Sequence, residues 1–128
     1  MINTMRVSFD FDDTLDRPDV QRFAEQLHKA GYQVWIVTSR TSNERAGNDT
    51  WNNDLFFVAE CLGIKNIHFC NLQPKRKFFE DNDFLFHLDD DIDDVQDISR
   101  NTDTPAVHFI PTIRMEALDK CRDILNKP

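Results

Sequence analysis

Five short apolar runs alternate with stretches of helical periodicity along this 128-residue chain, and that alternation limits the folds open to it. Met5–Phe9 reads as a strand. Pro18 then stands at a first helical turn, Val20, Phe23, Ala24 and Leu27 recur at i, i+3, i+4 and i+7, and Gly31 ends the helix. Val34–Val37, with Trp35 and Ile36, is a continuous apolar run, the pattern of a strand covered on both faces. A polar loop over 40–50 precedes a second helix, marked by Trp51, Leu55, Val58, Ala59 and Leu62 and closed by Gly63. Asn66–Cys70 reads as a third strand, the KRKFFE segment after Pro74 as a short helix, and Phe84–Leu88 as a fourth strand. Ile92, Val95 and Ile98 mark another short helix, Ala106–Ile110 a fifth strand stopped by Pro111, and Leu118, Cys121 and Leu125 a last helix. Such alternation implies an α/β fold: a parallel sheet with right-handed crossovers and helices on both faces. A single domain over 1–128 accommodates it, because 40% hydrophobic content and eleven Phe suffice for one core. No repeat, low-complexity tract or linker divides the chain.

Two of these strands end in negative charge. Val7, Ser8 and Phe9 run into Asp10, Asp12, Asp13 and Asp16, and the fourth strand runs into Asp89, Asp90, Asp91, Asp93 and Asp94. Residues 10–16 and 89–97 hold ten of the 23 acidic side chains, and that concentration points to a cation site. In parallel sheets the ligand site lies beyond the carboxyl ends of the strands, where the chain order switches. Topology therefore gathers both acidic crowds on one rim, together with Thr38 and Ser39 after the second strand.

The formal charge of −8 argues against an extended nucleic-acid-binding surface, which shows a basic face. Cys61, Cys70 and Cys121 lack metal-like spacing, and their odd number argues against a disulfide framework, so they read as reduced thiols. No run approaches the roughly 20 apolar residues of a membrane span, and no apolar leader opens the chain, so a cytoplasmic location with no membrane partner is expected.

Several carboxylates within a few ångströms cannot all stay ionised without a cation. Oxygen-only ligands suit a hard ion such as Mg²⁺, which takes a few carboxylates and keeps several waters, and no His or Cys cluster favours zinc. Such an ion with a lysine and hydroxyl donors is the equipment for handling a phosphoryl group. One carboxylate then serves as nucleophile, and a second protonates the leaving oxygen and deprotonates the attacking water.

At these residues the chain resembles the haloacid-dehalogenase-like (HAD) hydrolases. DFDDTL at 10–15 is similar to their opening DxDxT motif. VWIVTSR supplies the second motif, a strand ending in Thr38, with Ser39 and Arg40 following. QPKRKFF supplies the lysine of the third: Lys75, with Lys77 as its rival, and Lys75 is preferred because it places Phe78 and Phe79 at i+3 and i+4 toward the core. FLFHLDD supplies the paired acids of the fourth, Asp89 and Asp90. All four occur in family order over residues 7–90. The resemblance implies a Rossmann-like three-layer α/β/α sandwich with a five-stranded parallel sheet. It implies a Mg²⁺-dependent phosphatase with Asp10 as nucleophile and metal ligand, and Asp12 as acid/base lending its carbonyl to the metal. It further implies Thr38 on a phosphoryl oxygen, Lys75 offsetting charge, Asp89 and Asp90 at the metal, and Thr14, Ser39 and Arg40 on the substrate side. The position before Thr14, variable in such proteins and often Gly, is Asp13 here.

Relatives of this kind often insert a cap domain. Asp10 to Thr38 spans 28 positions and Thr38 to Lys75 spans 37, too few for a folded cap, so no cap domain is expected and the site is open. The segments IVTSRTS and FHLDDDIDDV are similar to strings in the phosphatase half of polynucleotide kinase/phosphatases and in small nucleotidases. The implied substrate is a phosphorylated small molecule or polymer end, with nucleotides and nucleic-acid 3′-phosphates as candidates. Arg40, Arg45, Lys75, Arg76 and Lys77 would supply a local basic patch. A non-catalytic module that keeps a Mg²⁺–phosphate pocket is the alternative, as is an accessory domain beside a kinase. Asp91, Asp93, Asp94 and Asp97 read as the solvated start of a helix, where negative charge is favoured, and Asp16 or Asp19 as a helix cap. His28, His68, His87 and His108 read as structural or surface residues, with His87, two before Asp89 on the same strand, also placed to tune the site; Phe56, Phe57, Phe78, Phe79, Phe84 and Phe86 read as core, and Trp51 as a loop anchor.

Overall fold

The computed structural model describes residues 5–127. Five parallel strands, β1 (Arg6–Phe9), β2 (Gln33–Thr38), β3 (Asn66–Phe69), β4 (Phe86–Asp89) and β5 (Ala106–His108), form one sheet in the order β3-β2-β1-β4-β5. The crossovers carry α1 (Pro18–Lys29), α2 (Asn43–Ala46), α3 (Asn53–Leu62), α4 (Arg76–Asp81) and α5 (Ile92–Asn101), and α6 (Arg114–Leu125) ends the fold. The result is the expected Rossmann-like sandwich, with helices on both faces of an all-parallel sheet. The chain runs outward from β1 through β2 to β3, then returns to place β4 on the other side of β1. Order therefore switches between β1 and β4, and a crevice opens beyond their carboxyl ends.

Strand alternation assigns the faces. Val7, Phe9, Val34, Ile36, Phe86 and Leu88 pack with α1, α3 and α6, where Phe23, Leu55 and Leu118 are buried. Val37 lies with Phe79 of α4 and Ile98 of α5 on the opposite face, with Trp35 and Phe78 against them. Register puts Ser8 beside both Trp35 and His87, and Asp89 beside His108. The apolar stripe of α1 is the predicted one, since Val20, Phe23, Ala24 and Leu27 are all buried.

Some local expectations are corrected. The 40–50 loop contains α2, capped by the Ser42 hydroxyl, which accepts from the Arg45 N–H at 3.2 Å. Helix α3 starts at Asn53, leaving Trp51 before it. Only Leu55 and Ala59 of α3 are buried, and Phe57, 70% exposed, and Phe56 face outward rather than into the core. A period of 3.6 residues accounts for this, because 55 and 59 share a face that 56 and 57 leave. Arg17, not Asp16 or Asp19, sits at the α1 N-cap position, with Asp19 in the first turn. Ile92 is exposed at the start of α5. Gly63 ends α3 at φ +75, the left-handed conformation that favours glycine, and a Cβ there would stand 3.2 Å from the exposed His28 ring. The two intervals that could have held a cap contain a helical turn over Phe11–Leu15 with α1 and β2, and α2, α3 and β3. No described helix is long and apolar enough to cross a membrane.

Candidate functional site

The Asp10 N–H donates to the Leu88 carbonyl at 2.9 Å, which carries the β1–β4 ladder one residue past the end of β1. The chain then turns tightly. Asp12 stays extended (φ −64, ψ 128), Asp13 takes the left-handed conformation (φ 59), and the Leu15 N–H closes the turn on the Asp10 carbonyl at 3.1 Å. Asp is among the few residues other than Gly that accept this conformation at modest cost. The turn buries Thr14, whose hydroxyl donates to Asp90 Oδ1 at 3.4 Å.

Asp89 ends β4 and is fully buried. Its Oδ1 accepts from the Asp91 N–H at 3.0 Å, and its Oδ2 is 2.8 Å from His87 Nε2. The other His87 nitrogen, Nδ1, lies 2.8 Å from Ser8 Oγ. Those partners assign the tautomer: Nε2–H donates to the carboxylate, and the Ser8 hydroxyl donates to Nδ1. Asp90 comes next, its carbonyl facing His108 Nε2 at 3.0 Å.

Lys75 precedes α4 and is 2% exposed. Its ammonium lies 2.8 Å from Asp10 Oδ1, 2.5 Å from Asp89 Oδ2 and 3.8 Å from Asp94 Oδ2. Burial alone would discharge it, but Asp10 and Asp89 outweigh that effect and hold it firmly protonated. Burial raises the Asp10 carboxyl well above its ordinary value, Lys75 works against that rise, and the Asp89 charge adds to it. Asp89 goes the other way. Burial would raise it, yet the His87 hydrogen bond and the Lys75 ammonium keep it below the usual carboxylate range. Lys77, the rival lysine, is exposed and donates to Gln73 Oε1 at 3.3 Å.

Asp10, Asp89 and Asp90 each present a carboxylate oxygen, and the three lie within 4.8 Å of one another. At an effective dielectric near 20, each such pair repels by roughly 3 kcal/mol. One ammonium cannot neutralise three carboxylates, so the donor set fits a hard divalent cation held by oxygens. The ring of His87 is engaged with Asp89 and Ser8 and is not a competing ligand.

The acid/base candidate stands apart. Asp12 points at Arg40, which donates from Nε to its Oδ2 at 3.0 Å and from Nη2 to its Oδ1 at 2.7 Å. The same guanidinium grips both oxygens of Asp54 at 2.8 Å, donates to Asn52 Oδ1 at 3.3 Å, and lies over the Phe11 ring at 5.0 Å. Asp54 is thereby held down at about 2 by the Arg40 hydrogen bonds. Thr38 is buried at the end of β2, its Oγ1 accepting from the Arg40 N–H at 3.2 Å. Ser39 contributes its carbonyl to the Leu72 N–H at 3.0 Å.

Asp10, Thr14, Lys75, Asp89 and Asp90 thus meet at the switch point, with Thr38, Ser39, Arg40 and Asp12 on the β2 side. Three of the five cations expected to form a basic patch are not free, while Arg45 and Lys77 are exposed. Arg40 is committed to Asp12 and Asp54, Lys75 is buried, and Arg76 pairs with Glu80 and Asp97 at 3.1 and 3.2 Å. Asp91 caps α5 as a helix-start acid should, accepting from the Asp93 and Asp94 N–H groups. Three participants were read from sequence as scaffold or passed over, Ser8, Asp54 and Asp94, and a fourth, His87, was read chiefly as structural. His87 had a signal, since i and i+2 on a strand share a face with Asp89. No protein-family model and no curated protein matches the chain.

Proposed function

We propose that this protein is a HAD-type, Mg²⁺-dependent phosphomonoesterase that works through an aspartyl-phosphate on Asp10. The observation that carries the reading is the Lys75 ammonium on both Asp10 and Asp89, because it joins three separate motifs in one buried cluster. A bound Mg²⁺, held by Asp10, Asp89 and Asp90, would neutralise charge on the phosphoryl oxygens. Asp10 attacks phosphorus as the bond to the ester oxygen breaks, and the leaving alkoxide takes its proton from Asp12. Asp12 then removes a proton from water, which attacks phosphorus, frees inorganic phosphate and restores the Asp10 carboxylate. Lys75 holds Asp10 in place and offsets the negative charge beside it. Thr38 hydrogen-bonds a phosphoryl oxygen, with Ser39 beside it, and Thr14 keeps Asp90 oriented.

Both Asp12 oxygens are occupied by Arg40 in this state, so neither is free to carry the proton the leaving group needs. Arg40 therefore has to release Asp12 when substrate arrives, and its second grip on Asp54 gives it somewhere to stay. The substrate is a phosphorylated small molecule or the phosphorylated end of a polymer, with nucleotides and 3′-phosphates as the leading class. The three unpaired cysteines support action in a reducing, cytoplasmic setting.

The Arg40–Asp12 fork also supports a second reading, a non-catalytic Mg²⁺–phosphate-binding module that keeps its acid/base residue tied down. Assays with p-nitrophenyl phosphate and nucleotides, with Mg²⁺ or a chelator, separate the two. The enzyme reading predicts Mg²⁺-dependent turnover that falls by at least about a thousandfold in Asp10→Asn. Beryllofluoride binding without turnover of any ester establishes the module instead, and turnover undiminished in Asp10→Asn removes Asp10 as nucleophile.

A further inference from the structure

We infer that the cleft beside Arg40 is a leaving-group subsite for a flat heteroaromatic ring, with the Trp51 indole as its stacking face. The inference rests on the phosphomonoesterase reading for its place in the reaction, but the ring-binding surface stands on separate observations.

The cleft has a volume of about 680 Å³ and is lined by Arg40, Thr41, Trp51, Asp54 and Leu72. Arg40 joins it to the catalytic rim, since the guanidinium that holds Asp12 also forms a wall of the cleft. Arg40 is thus shared between the cleft and the rim that carries Asp12. Trp51 is 55% exposed and Leu72 is 79% exposed. Exposed apolar side chains are common, but these two are held out by built structure rather than left on a loose loop.

The backbone that carries Trp51 is anchored by its neighbour and by the Trp51 N–H on the Asn48 carbonyl at 3.2 Å. Asn52 is fully buried, and its side-chain amide donates to the Thr41 carbonyl at 3.0 Å and to Asn43 Oδ1 at 2.9 Å while accepting from Arg40 at 3.3 Å. Its backbone N–H donates to Asn43 Oδ1 at 3.0 Å. Leu72 is fixed by strain. Asn71 and Leu72 both sit at positive φ, +53 and +66, and a bulky residue such as leucine takes that conformation at a cost of about 1–2 kcal/mol. The fold imposes it through the Asn71 N–H on the Arg40 carbonyl at 3.1 Å, the Leu72 N–H on the Ser39 carbonyl at 3.0 Å, and Asn71 Oδ1 accepting from the Ser42 N–H at 2.9 Å. The side chain so presented is among the most exposed of the large apolar residues. Strain that displays an apolar group into a cleft at a site is a mark of ligand contact.

The lining selects the ligand. One indole and one isobutyl group cover a single ring, not an extended alkyl chain. Thr41, Arg40 and Asp54 supply a polar rim, so the ring carries hydrogen-bonding edges. Asp54 lines the cleft, and its carboxylate, with that of Asp12 on the same guanidinium, offsets the Arg40 charge and disfavours a second anionic group. A phosphate monoester whose leaving alcohol bears a neutral, nucleobase-like heterocycle meets all three conditions.

Two measurements on the whole chain test this. In the first, adenosine, which has no phosphate, is titrated against intrinsic tryptophan emission in the presence of Mg²⁺. Saturable quenching in the wild type that disappears in Trp51→Ala is expected; no quenching, or the same quenching in Trp51→Ala, overturns the subsite. In the second, the ratio of kcat/KM for 3′-AMP to that for glycerol 2-phosphate is compared across variants. Loss of one stacking face is expected to lower the ratio roughly tenfold in Trp51→Ala, with recovery in Trp51→Phe. An unchanged ratio in folded Trp51→Ala overturns the subsite while leaving the phosphatase intact. Quenching without turnover of either ester overturns the phosphatase reading while leaving the ring site, so the two failures are distinct.

Discussion

At His87, burial and hydrogen bonding act in opposite directions. The ring is buried completely beside Phe79, and desolvation, outweighing the pull of Asp89, lowers its pKa below the ordinary 6.5. The unfolded chain therefore binds the proton first as acid is added. The stability His87 contributes is fully present above pH 6.5 and is lost as pH falls through its lower folded value. In His87→Gln that acid-side loss should vanish, so the Tm gap between wild type and variant should narrow from neutral pH to about pH 5; a constant gap contradicts the buried neutral imidazole. This residue was within reach of the sequence, because its spacing to Asp89 fixes a shared strand face. Asp54 was not. It meets Arg40 only because the 41–53 segment folds back, and nothing in local pattern announces a contact between a loop and the first turn of a helix. Asp13 falls between the two: its position reads as a spacer, and only the backbone shows why glycine suits such a place.

Elements explain which parts of the pattern survived. The α1 stripe was legible because four apolar residues at helical spacing leave one solution. The segment before and within α3 was less so. Phe56 and Phe57 look like core by composition, but burial follows the face set by Leu55 and Ala59, and Trp51, read as a marker of the helix or an anchor of the loop, stands before the helix. The segment between β2 and α3 depends instead on Asn52, a buried amide whose bonds tie Thr41, Asn43 and Arg40 together. Asn52→Ala leaves these groups without their partner and should cost about 2 kcal/mol, read as a fall in urea midpoint at unchanged m-value. The same variant should free the 41–53 segment to faster proteolysis. A loss below about 0.5 kcal/mol would show that the segment is held by something other than this amide.

Across the whole molecule, one topological fact organises the chemistry. Reversal of strand order between β1 and β4 brings Asp10 beside Asp89, and the loop after β3 carries Lys75 onto both. Alternation of strands and helices was enough to predict a parallel sheet and a common rim, although the pairing of strands is long-range and only the structure supplies it. The basic patch is reduced to Arg45 and Lys77 because sequence proximity of cations says nothing about the acids that fold against them. Asp54, Asp12 and Asp97 each reach Arg40 or Arg76 from another element. On the proposed mechanism Asp10 carries the phosphoryl group during turnover. Borohydride reduction of enzyme quenched while hydrolysing p-nitrophenyl phosphate with Mg²⁺ converts an aspartyl-phosphate to homoserine, which peptide mass spectrometry locates. Homoserine at position 10, absent when Mg²⁺ is chelated, is the predicted result; continued Mg²⁺-dependent turnover with Asp10 unmodified, or homoserine at any other position, would contradict it.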